Sequence, residues 1–282
     1  MTNNHFMKYS AAAIQMASGP SVSANLMEAE RLLSIAVEQG AKLCVLPENF
    51  SFLGLTEQDK LRVAESDGTG PAQEFMAAQA KKLGVWILGG TVPISGNDPQ
   101  RVRAASILFD SEGQRVARYD KMHLFDVNLE ESDEQYMESA AIEPGDSICC
   151  IDTPLGKIGI AVCYDLRFPE QFRQMAESGL EIIVLPSAFT ATTGKAHWHH
   201  LVCARAIENL SYVVAPNQGG YHINGRESFG HSMIIDPWGN VLDSQDSGPG
   251  VVIAEIDRNA IAKVRKNFPA LEHRRVGCRT PF

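Results

Sequence analysis

Residues 42–48, KLCVLPE, and residues 181–187, EIIVLPS, are two versions of one pattern. In each, a short apolar run ends at a proline, which is typical of a buried strand that leaves its sheet at that point. A helical pattern precedes each run, over residues 26–37 and 170–178, and a glycine follows each helix. The chain therefore contains two halves of similar βαβ construction.

The likeness continues into a second pair of segments. Asp110 and Gly113 end one apolar run, Asp236 and Gly239 end another, and 126 positions separate the members of each matching pair. An Asp-x-x-Gly step between two strands favours a hairpin turn. We expect both halves to build one layered α/β domain over residues 1–282. Chance similarity between common strand–turn strings is the alternative.

The composition restricts the class of protein. Apolar residues make up 44% of the 282 residues, charged residues make up 21%, and the net charge is −9, which disfavours nucleic acid or an anionic membrane as the main partner. We expect no membrane span and no signal peptide, because neither apolar pattern is present. The six cysteines form no CxxC pair, so we expect free thiols in a cytoplasmic protein.

One cysteine stands at a position suited to chemistry. In residues 159–170, GIAVCYDLRFPE, an apolar run ends at Cys163 and a charged turn follows. A strand that leads into a helix offers free backbone N–H groups and a helix dipole, and both stabilise a thiolate. The N–H of Tyr164 would then face a substrate oxyanion. The alternative is a packed core cysteine, which is our interpretation of Cys44 and Cys203.

Three charged residues could assist such a thiol. Glu48 follows a strand at its carboxyl end, where ligands gather in α/β sheets, and could serve as a general base. Lys121, in RYDKMHLFD, could stabilise a developing oxyanion. Glu138 could orient Lys121 or a substrate amine. Each residue also has an ordinary interpretation as a surface acid or part of a solvated charged loop.

A histidine cluster offers a competing chemistry. His197, His199 and His200 lie close together in sequence and could support a metal-dependent hydrolase. No HExxH motif or cysteine cluster accompanies them, so we expect no metal, and we expect packing at a helix start instead. Arg205 and Glu208 have the i, i+3 spacing of a structural ion pair.

Taken together, the motifs resemble the nitrilase superfamily of carbon–nitrogen hydrolases. LPENF with Glu48 matches the family's glutamate segment, YDKMHLFD with Lys121 its lysine segment, and GIAVCYDLRFPE with Cys163 its cysteine elbow, in the family's order. LPSAF, AHW, RAIEN and FGHSMIIDPWGNV match further. The resemblance covers about residues 11–256.

The resemblance implies a four-layer α-β-β-α sandwich with two pseudo-two-fold halves. It also implies a homodimer or larger homo-oligomer, for which a C-terminal tail over about residues 257–282 could supply a contact. The implied roles are nucleophile for Cys163, proton acceptor for Glu48 and oxyanion stabiliser for Lys121, with a thioester intermediate, and with Glu138 and the Tyr164 N–H in support. No cofactor is implied.

The branch most similar to this chain contains deaminated-glutathione amidase and omega-amidase. A small carboxylate-bearing amide is thus the expected substrate, with α-ketoglutaramate or an N-carbamoyl amine as alternatives and a non-catalytic binding protein as an alternative of another class. Arg167 or Arg173 could pair with a substrate carboxylate, or both could form structural salt bridges. Residues 126–144 are unusually acidic, which would disfavour an acidic substrate if they bordered the pocket.

Overall fold

The structure, a computed structural model, describes residues 7–129 and 134–277. Its strands follow in chain order: β1 (Lys8–Gln15), β2 (Ala41–Val45), β3 (Trp86–Ser95), β4 (Val102–Phe109), β5 (Arg115–Asp120), β6 (Asp126–Leu129), β7 (Glu134–Met137), β8 (Cys149–Thr153), β9 (Gly156–Ile160), β10 (Ile182–Val184), β11 (Tyr212–Ala215), β12 (Gly219–Tyr221), β13 (Glu227–Phe229), β14 (Ser232–Ile235), β15 (Val241–Gln245) and β16 (Gly250–Asp257).

The α-helices are α1 (Val22–Glu38), α2 (Pro71–Leu83), α3 (Pro169–Glu177), the short α4 (Ala191–Thr193), α5 (His199–Asn209) and α6 (Arg258–Asn267). A π-helical turn, Gly194–Trp198, joins α4 to α5. Short 3₁₀ helices cover Glu57–Val63, Glu138–Ala140 and Cys163–Arg167.

Two six-stranded sheets carry the predicted internal repeat. The first has the order β16-β1-β2-β3-β4-β5, and the second has the order β8-β9-β10-β11-β14-β15. In both sheets three central strands run parallel, and antiparallel strands flank them. The two halves therefore have equivalent strand orders, which confirms the pseudo-two-fold prediction.

The two predicted hairpin turns are confirmed and are built alike. The N–H of Gly113 donates to the carbonyl of Asp110 at 3.0 Å, and the N–H of Gly239 donates to the carbonyl of Asp236 at 3.0 Å. Both glycines have positive φ, +77° and +92°, which glycine adopts without the steric cost of a Cβ. Each turn closes the outer hairpin of its sheet.

The alternating faces of the strands define four layers. On β1, Ala12 and Ile14 pack in a core cluster with α1 and α2. Ala11 and Ala13 face the other way and pack in a cluster with the second sheet. That cluster continues through the second sheet to Phe172 of α3 and other helical side chains. The layers are thus helices, first sheet, second sheet and helices, and the four-layer α-β-β-α sandwich is confirmed.

The predicted helices form where expected, with somewhat different ends. Ser21 caps α1 by accepting a hydrogen bond from the N–H of Ala24 at 3.4 Å, a usual device at a helix start. Leu32 and Leu33 lie on the buried face of α1. Pro169 opens α3, where its missing N–H costs no helical hydrogen bond.

The C-terminal segment differs in part from the predicted tail. Residues 258–267 form α6, which packs on the chain's own second half. Its Ile261 is buried, and Arg258 pairs with Glu181 at 2.9 Å. Four of the ten residues of α6 are apolar, so this segment carries a helical pattern that the sequence analysis did not use. Within the described residues, no helix is long and apolar enough to cross a membrane.

Candidate active site

Glu48, Lys121 and Cys163 meet in one pocket, although they come from three strands and both sheets. Glu48 follows β2, Lys121 directly follows β5, and Cys163 follows β9. The pocket has an empty volume of about 470 Å³. Its lining comprises Glu48, Asn49, Glu57, Lys60, Lys121, Phe125, Tyr136, Glu138, Cys163, Tyr164, Ala188, Phe189, Thr190, Thr193 and Arg226.

Lys121 is the charged centre of the pocket. Its side chain is 2% exposed. The Nζ atom lies 2.7 Å from Oε1 of Glu48, and 2.9 Å and 2.8 Å from the two carboxylate oxygens of Glu138. Burial by itself lowers the pKa of Lys121, but the carboxylates of Glu138 and Glu48 raise it well above its usual value. Lys121 is therefore a buried ammonium ion and not part of a solvated loop.

Glu138 is the second carboxylate in contact with Lys121. Besides Lys121, its Oε2 accepts a hydrogen bond from the backbone N–H of Phe125 at 2.7 Å. Burial raises the pKa of the Glu138 carboxyl, and the nearby Lys121 opposes that shift. The N–H of Phe125 fixes the carboxylate, which in turn fixes the position of the ammonium group.

Cys163 sits on a strained elbow. Its φ is +47°, which is uncommon for a residue with a Cβ and is often found at functional sites. Its N–H donates to the carbonyl of Pro186 at 2.9 Å. The predicted helix after the elbow is interrupted, because a five-residue 3₁₀ helix, Cys163–Arg167, precedes α3. A full α-helix dipole is thus not aimed at the sulfur.

The Cys163 sulfur faces a carboxylate and a backbone N–H. Glu48, Ala188 and Cys163 line the same pocket, and both the Glu48 carboxylate and the Ala188 backbone N–H act on the thiol. Burial raises the pKa of the Cys163 thiol well above its usual value, and Glu48 adds to this, while Lys121 and Ala188 act in the opposite direction. The resting thiol is neutral, and the carboxylate that could accept its proton lines the same pocket.

Tyr164 contributes its ring and its backbone to the pocket. Its ring packs edge-on against Phe125 and Phe168, with centroids 5.1 Å and 5.4 Å apart. It is the second residue of the 3₁₀ helix that starts at Cys163, and the first N–H groups of a helix lack intrahelical acceptors. Its backbone is therefore suited to donating towards the pocket.

Two cationic residues of the pocket were missed by the sequence analysis. Lys60 is nearly buried and forms an ion pair with Glu57. Arg226 donates from Nη2 to the carbonyl of Ala188 at 2.6 Å and lies over the ring of Tyr136, 5.1 Å from its centroid. For Lys60, the sequence signal that could have been used was its i, i+3 spacing from Glu57. For Arg226 the signal was its place in GRESFGHSM, beside a segment that matches the family.

The pocket continues outward into a larger cavity of about 1020 Å³. The two cavities share Asn49, Glu57, Lys60, Tyr136 and Arg226. The outer cavity adds three stretches of lining, namely 53–56, 135 with 137, and 224–225. A ligand can therefore extend from the thiol past the two cations to the surface.

The acidic segment 126–144 borders the site through two described residues, Tyr136 and Glu138. The charge of Glu138 is balanced by Lys121. Asp126, by contrast, is exposed and accepts a hydrogen bond from the N–H of Ser139 at 3.0 Å. Residues 130–133 lie outside the described part. Of these two acids, Glu138 is in contact with Lys121 in the pocket and Asp126 lies at the surface.

Arg167 and Arg173 lie outside the pocket lining. Arg173 donates to the carbonyl of Glu208 on α5. The guanidinium of Arg167 lies 5.6 Å from the ring centroid of Phe189, and its Nη1 lies 3.3 Å from Nδ1 of His197. Arg173 also lies 4.0 Å from a carboxylate oxygen of Glu208, which agrees with the predicted structural salt bridge, whereas the contacts of Arg167 are with rings and are of neither predicted kind.

The histidines of the metal hypothesis are exposed at the surface and not packed at a helix start as expected. His197, His199 and His200 all have exposed side chains. No group of three His, Cys, Asp or Glu side chains among residues 7–129 and 134–277 could hold a metal ion. The predicted Arg205–Glu208 ion pair is confirmed, with Nη1 2.7 Å from Oε1.

The chain is similar over most of its length to a known protein family and to named relatives. The chain matches the carbon–nitrogen hydrolase family over residues 10–266. A deaminated glutathione amidase of Synechocystis sp. is 43% identical over 270 residues, covering 94% of this chain and 98% of the relative. The human deaminated glutathione amidase is 40% identical, covering 94% of this chain and 81% of the relative.

A solved structure shares the fold. Nit3 of Saccharomyces cerevisiae, described as a member of branch 10 of the nitrilase superfamily, superposes with a TM-score of 0.86 at 29% identity, covering 97% of this chain and 98% of that one. The chain belongs to the carbon–nitrogen hydrolase family, within the nitrilase superfamily, and is a hydrolase of carbon–nitrogen bonds other than peptide bonds.

Proposed function

We propose that the protein hydrolyses a small carboxylate-bearing amide through a thioester on Cys163. One observation carries this proposal. A neutral thiol, the Glu48 carboxylate and a buried ammonium 2.7 Å from that carboxylate line one pocket. These are a nucleophile, a base and an oxyanion partner, the groups that covalent acyl transfer requires.

Acylation begins when Glu48 takes the proton of the Cys163 thiol. The sulfur attacks the amide carbonyl carbon, and the carbonyl oxygen becomes an oxyanion held by the Lys121 ammonium and the Tyr164 N–H. The tetrahedral intermediate collapses, the carbon–nitrogen bond breaks, and the leaving amine takes the proton from Glu48. Cys163 then carries the acyl group as a thioester.

Deacylation uses the same groups with water in place of the amine. Glu48 takes a proton from water, and the water oxygen attacks the thioester carbonyl carbon. The carbon–sulfur bond breaks, the acid leaves, and Glu48 returns the proton to the sulfur. Glu138 takes no proton in this scheme, since its contacts with Lys121 and the Phe125 N–H suit it to holding the ammonium in place.

Because Lys60 is already paired with Glu57, the substrate class is supported mainly by Arg226 and by the size of the site. Lys60 and Arg226 lie where the inner pocket opens outward, and a guanidinium is well suited to a carboxylate. The outer cavity leaves room for a large amine portion. Relatives over most of the chain are named deaminated glutathione amidase, and deaminated glutathione is an amide with a carboxylate at each end. We favour it over α-ketoglutaramate and an N-carbamoyl amine.

A substrate panel tests this function. Deaminated glutathione, α-ketoglutaramate and an N-carbamoyl amine should be offered separately, with released amine or ammonia measured. Cys163→Ala and Glu48→Gln should abolish turnover of whichever compound the wild type hydrolyses. Wild-type rates in either variant would refute the assignment. Failure of the folded wild type on the whole panel would instead favour a non-catalytic binding protein.

We also infer one catalytic domain, assembly into a homodimer or larger homo-oligomer, and a cytoplasmic location. Supporting assembly, the exposed side chains of Trp238 and Phe268 contact each other with ring centroids 5.7 Å apart, and Phe268 belongs to the C-terminal segment. Supporting the location, the described cysteines are free thiols. Light scattering during gel filtration would test assembly, and a monomer mass at micromolar concentration would contradict it.

A further inference from the structure

Asp165 is a fully buried carboxylate that lies just behind the catalytic elbow, two residues after Cys163. Its Oδ2 accepts hydrogen bonds from the N–H of Val162 at 2.8 Å and from the hydroxyl of Tyr119 at 2.7 Å. Its Oδ1 contacts the N–H of His123 at 3.1 Å and the His123 Nδ1 atom at 2.7 Å. Four contacts thus converge on the Asp165 carboxylate. This carboxylate takes part in no chemical step of the proposed mechanism.

The four partners come from two segments that carry reacting groups. Val162 directly precedes Cys163, while Tyr119 and His123 stand two residues before and two residues after Lys121. The Tyr119 hydroxyl also accepts from the N–H of Met122 at 3.2 Å. Because Lys121 follows a strand of the first sheet and Cys163 a strand of the second, Asp165 links the two sheets at the point where the site is assembled.

A second contact joins the same two segments. The ring of His123 stacks on the ring of Phe168, with centroids 3.7 Å apart and planes 8° from parallel. Burial raises the pKa of the Tyr119 hydroxyl, so the phenol keeps its proton and remains a donor to Asp165. The partners of the Asp165 carboxylate therefore hold the two segments in one arrangement.

We propose that Asp165 is a positioning residue that sets the distance between the Lys121 ammonium and the Cys163 sulfur. The proposal rests on the proposed roles of Cys163 and Lys121. Asp165 touches neither the substrate pocket nor the reacting atoms, so its loss should affect the chemical step rather than binding. A misplacement of about 1 Å can lower a rate on the order of 100-fold.

The variant Asp165→Asn tests this with little change in shape. In either orientation its NH₂ group meets a backbone N–H, of Val162 or of His123, and neither can accept a hydrogen bond. We expect kcat to fall on the order of 100-fold, with KM changed less than about threefold. Glu181→Gln is the matched control, because Glu181 also accepts from a backbone N–H, that of Lys157 at 2.9 Å, but precedes β10 at the end remote from Cys163.

Alkylation by iodoacetamide, followed at the Cys163 peptide by mass spectrometry, separates positioning from simple charge removal. Loss of a nearby negative charge would lower the pH midpoint of alkylation. Withdrawal of Lys121 from the sulfur would raise it, because Lys121 lowers the pKa of the thiol. We expect the midpoint to rise in Asp165→Asn, and a fall or no change would overturn the proposal.

The variant Tyr119→Phe keeps the Asp165 carboxylate and removes one of its donors. It tests the positioning proposal if Asp165→Asn does not fold. It should lower kcat with KM retained, and the double variant should lose little more than the larger single loss, because both changes break one link. Losses that multiply, or an unchanged kcat in Tyr119→Phe, would overturn the proposal. The alkylation profile needs no substrate, so it still decides this proposal if the whole substrate panel fails.

Discussion

The Nζ atom of Lys121 lies 2.7 Å from Oε1 of Glu48, although 73 positions separate the two residues in sequence. The same ammonium contacts both oxygens of Glu138. One buried cation is therefore shared by the proposed base and by a supporting acid. Several measurable consequences follow from this shared charge and from the thiol beside it.

Replacing Lys121 with methionine should damage both turnover and stability. Loss of one oxyanion partner typically costs about 100- to 1000-fold in kcat. Removing one partner of a buried ion pair costs about 3–5 kcal/mol of the free energy of unfolding, because the remaining charges are uncompensated. Steady-state kinetics and urea unfolding measure the two effects.

Lys82→Met is the matched control for that prediction. Lys82 forms an exposed ion pair with Glu30, and exposed pairs contribute about 0–1 kcal/mol. This variant should keep wild-type kcat and nearly wild-type stability. A Lys121→Met enzyme with wild-type kcat would exclude the ammonium from the reaction.

Glu48→Gln should separate thiol reactivity from turnover. The Glu48 carboxylate raises the pKa of the Cys163 thiol, after burial the largest cause. Removing its charge should move the pH midpoint of iodoacetamide alkylation at Cys163 downward, while amide turnover is lost because no group remains to protonate the leaving amine or to take a proton from water. A midpoint that moves upward would contradict the electrostatic account.

The free energy of unfolding should fall as the pH rises above about 9, since thiols have an ordinary pKa near 8.5. Burial raises the pKa of Cys44 to about 12 and raises that of Cys163 well above its usual value. A raised folded-state pKa gives stability that is complete below the unfolded pKa and is lost as pH rises towards the folded one. Each thiol contributes a slope of at most about 1.4 kcal/mol per pH unit.

Urea unfolding between pH 7 and 10.5 measures this slope. Cys44→Ala should make the alkaline decline shallower, although it lowers stability at every pH through lost packing. Cys203→Ala is a control, because Cys203 is only half-buried and its removal should change the slope less. An equal slope in Cys44→Ala and the wild type would contradict the assignment of the decline to this thiol.

Much of the fold could be predicted because its signals are local. Each half contains an apolar strand closed by proline and an Asp-x-x-Gly turn, and each signal acts over a few residues. Helix α6 was not predicted as such, because Ile261 is its one buried residue and its formation depends on contacts such as that of Arg258 with Glu181. Contacts between partners far apart in sequence are not visible in a local sequence pattern.

The site was predictable to the extent that its residues belong to family motifs. Glu48, Lys121 and Cys163 stand in such motifs, and the structure brings them together. The sequence did not indicate that Lys60 and Arg226 line the pocket, since each stands in a polar stretch typical of surface loops. Arg167 and Arg173 were both predicted as possible partners of a substrate carboxylate because they follow the elbow in sequence. Adjacency in sequence does not reveal the direction of a side chain.

Arg226→Gln should weaken recognition of an anionic substrate. A hydrogen bond to a charged group contributes about 1.5–3 kcal/mol, so kcat/KM for deaminated glutathione should fall about 10- to 100-fold. Arg173→Gln is the control, because Arg173 already donates to Glu208 outside the pocket. Equal losses on deaminated glutathione and on a neutral amide such as propionamide would show a structural effect and not carboxylate recognition.

The proposed reaction requires a covalent thioester on Cys163, and mass spectrometry of the quenched enzyme can detect it directly. The enzyme is mixed with deaminated glutathione, or with another panel amide that it hydrolyses, and is quenched in acid within milliseconds to seconds. We expect a mass increase equal to the acyl portion, located on the peptide that contains Cys163 and absent in Cys163→Ala. Turnover without any adduct on the wild type, together with turnover by Cys163→Ala, would contradict it.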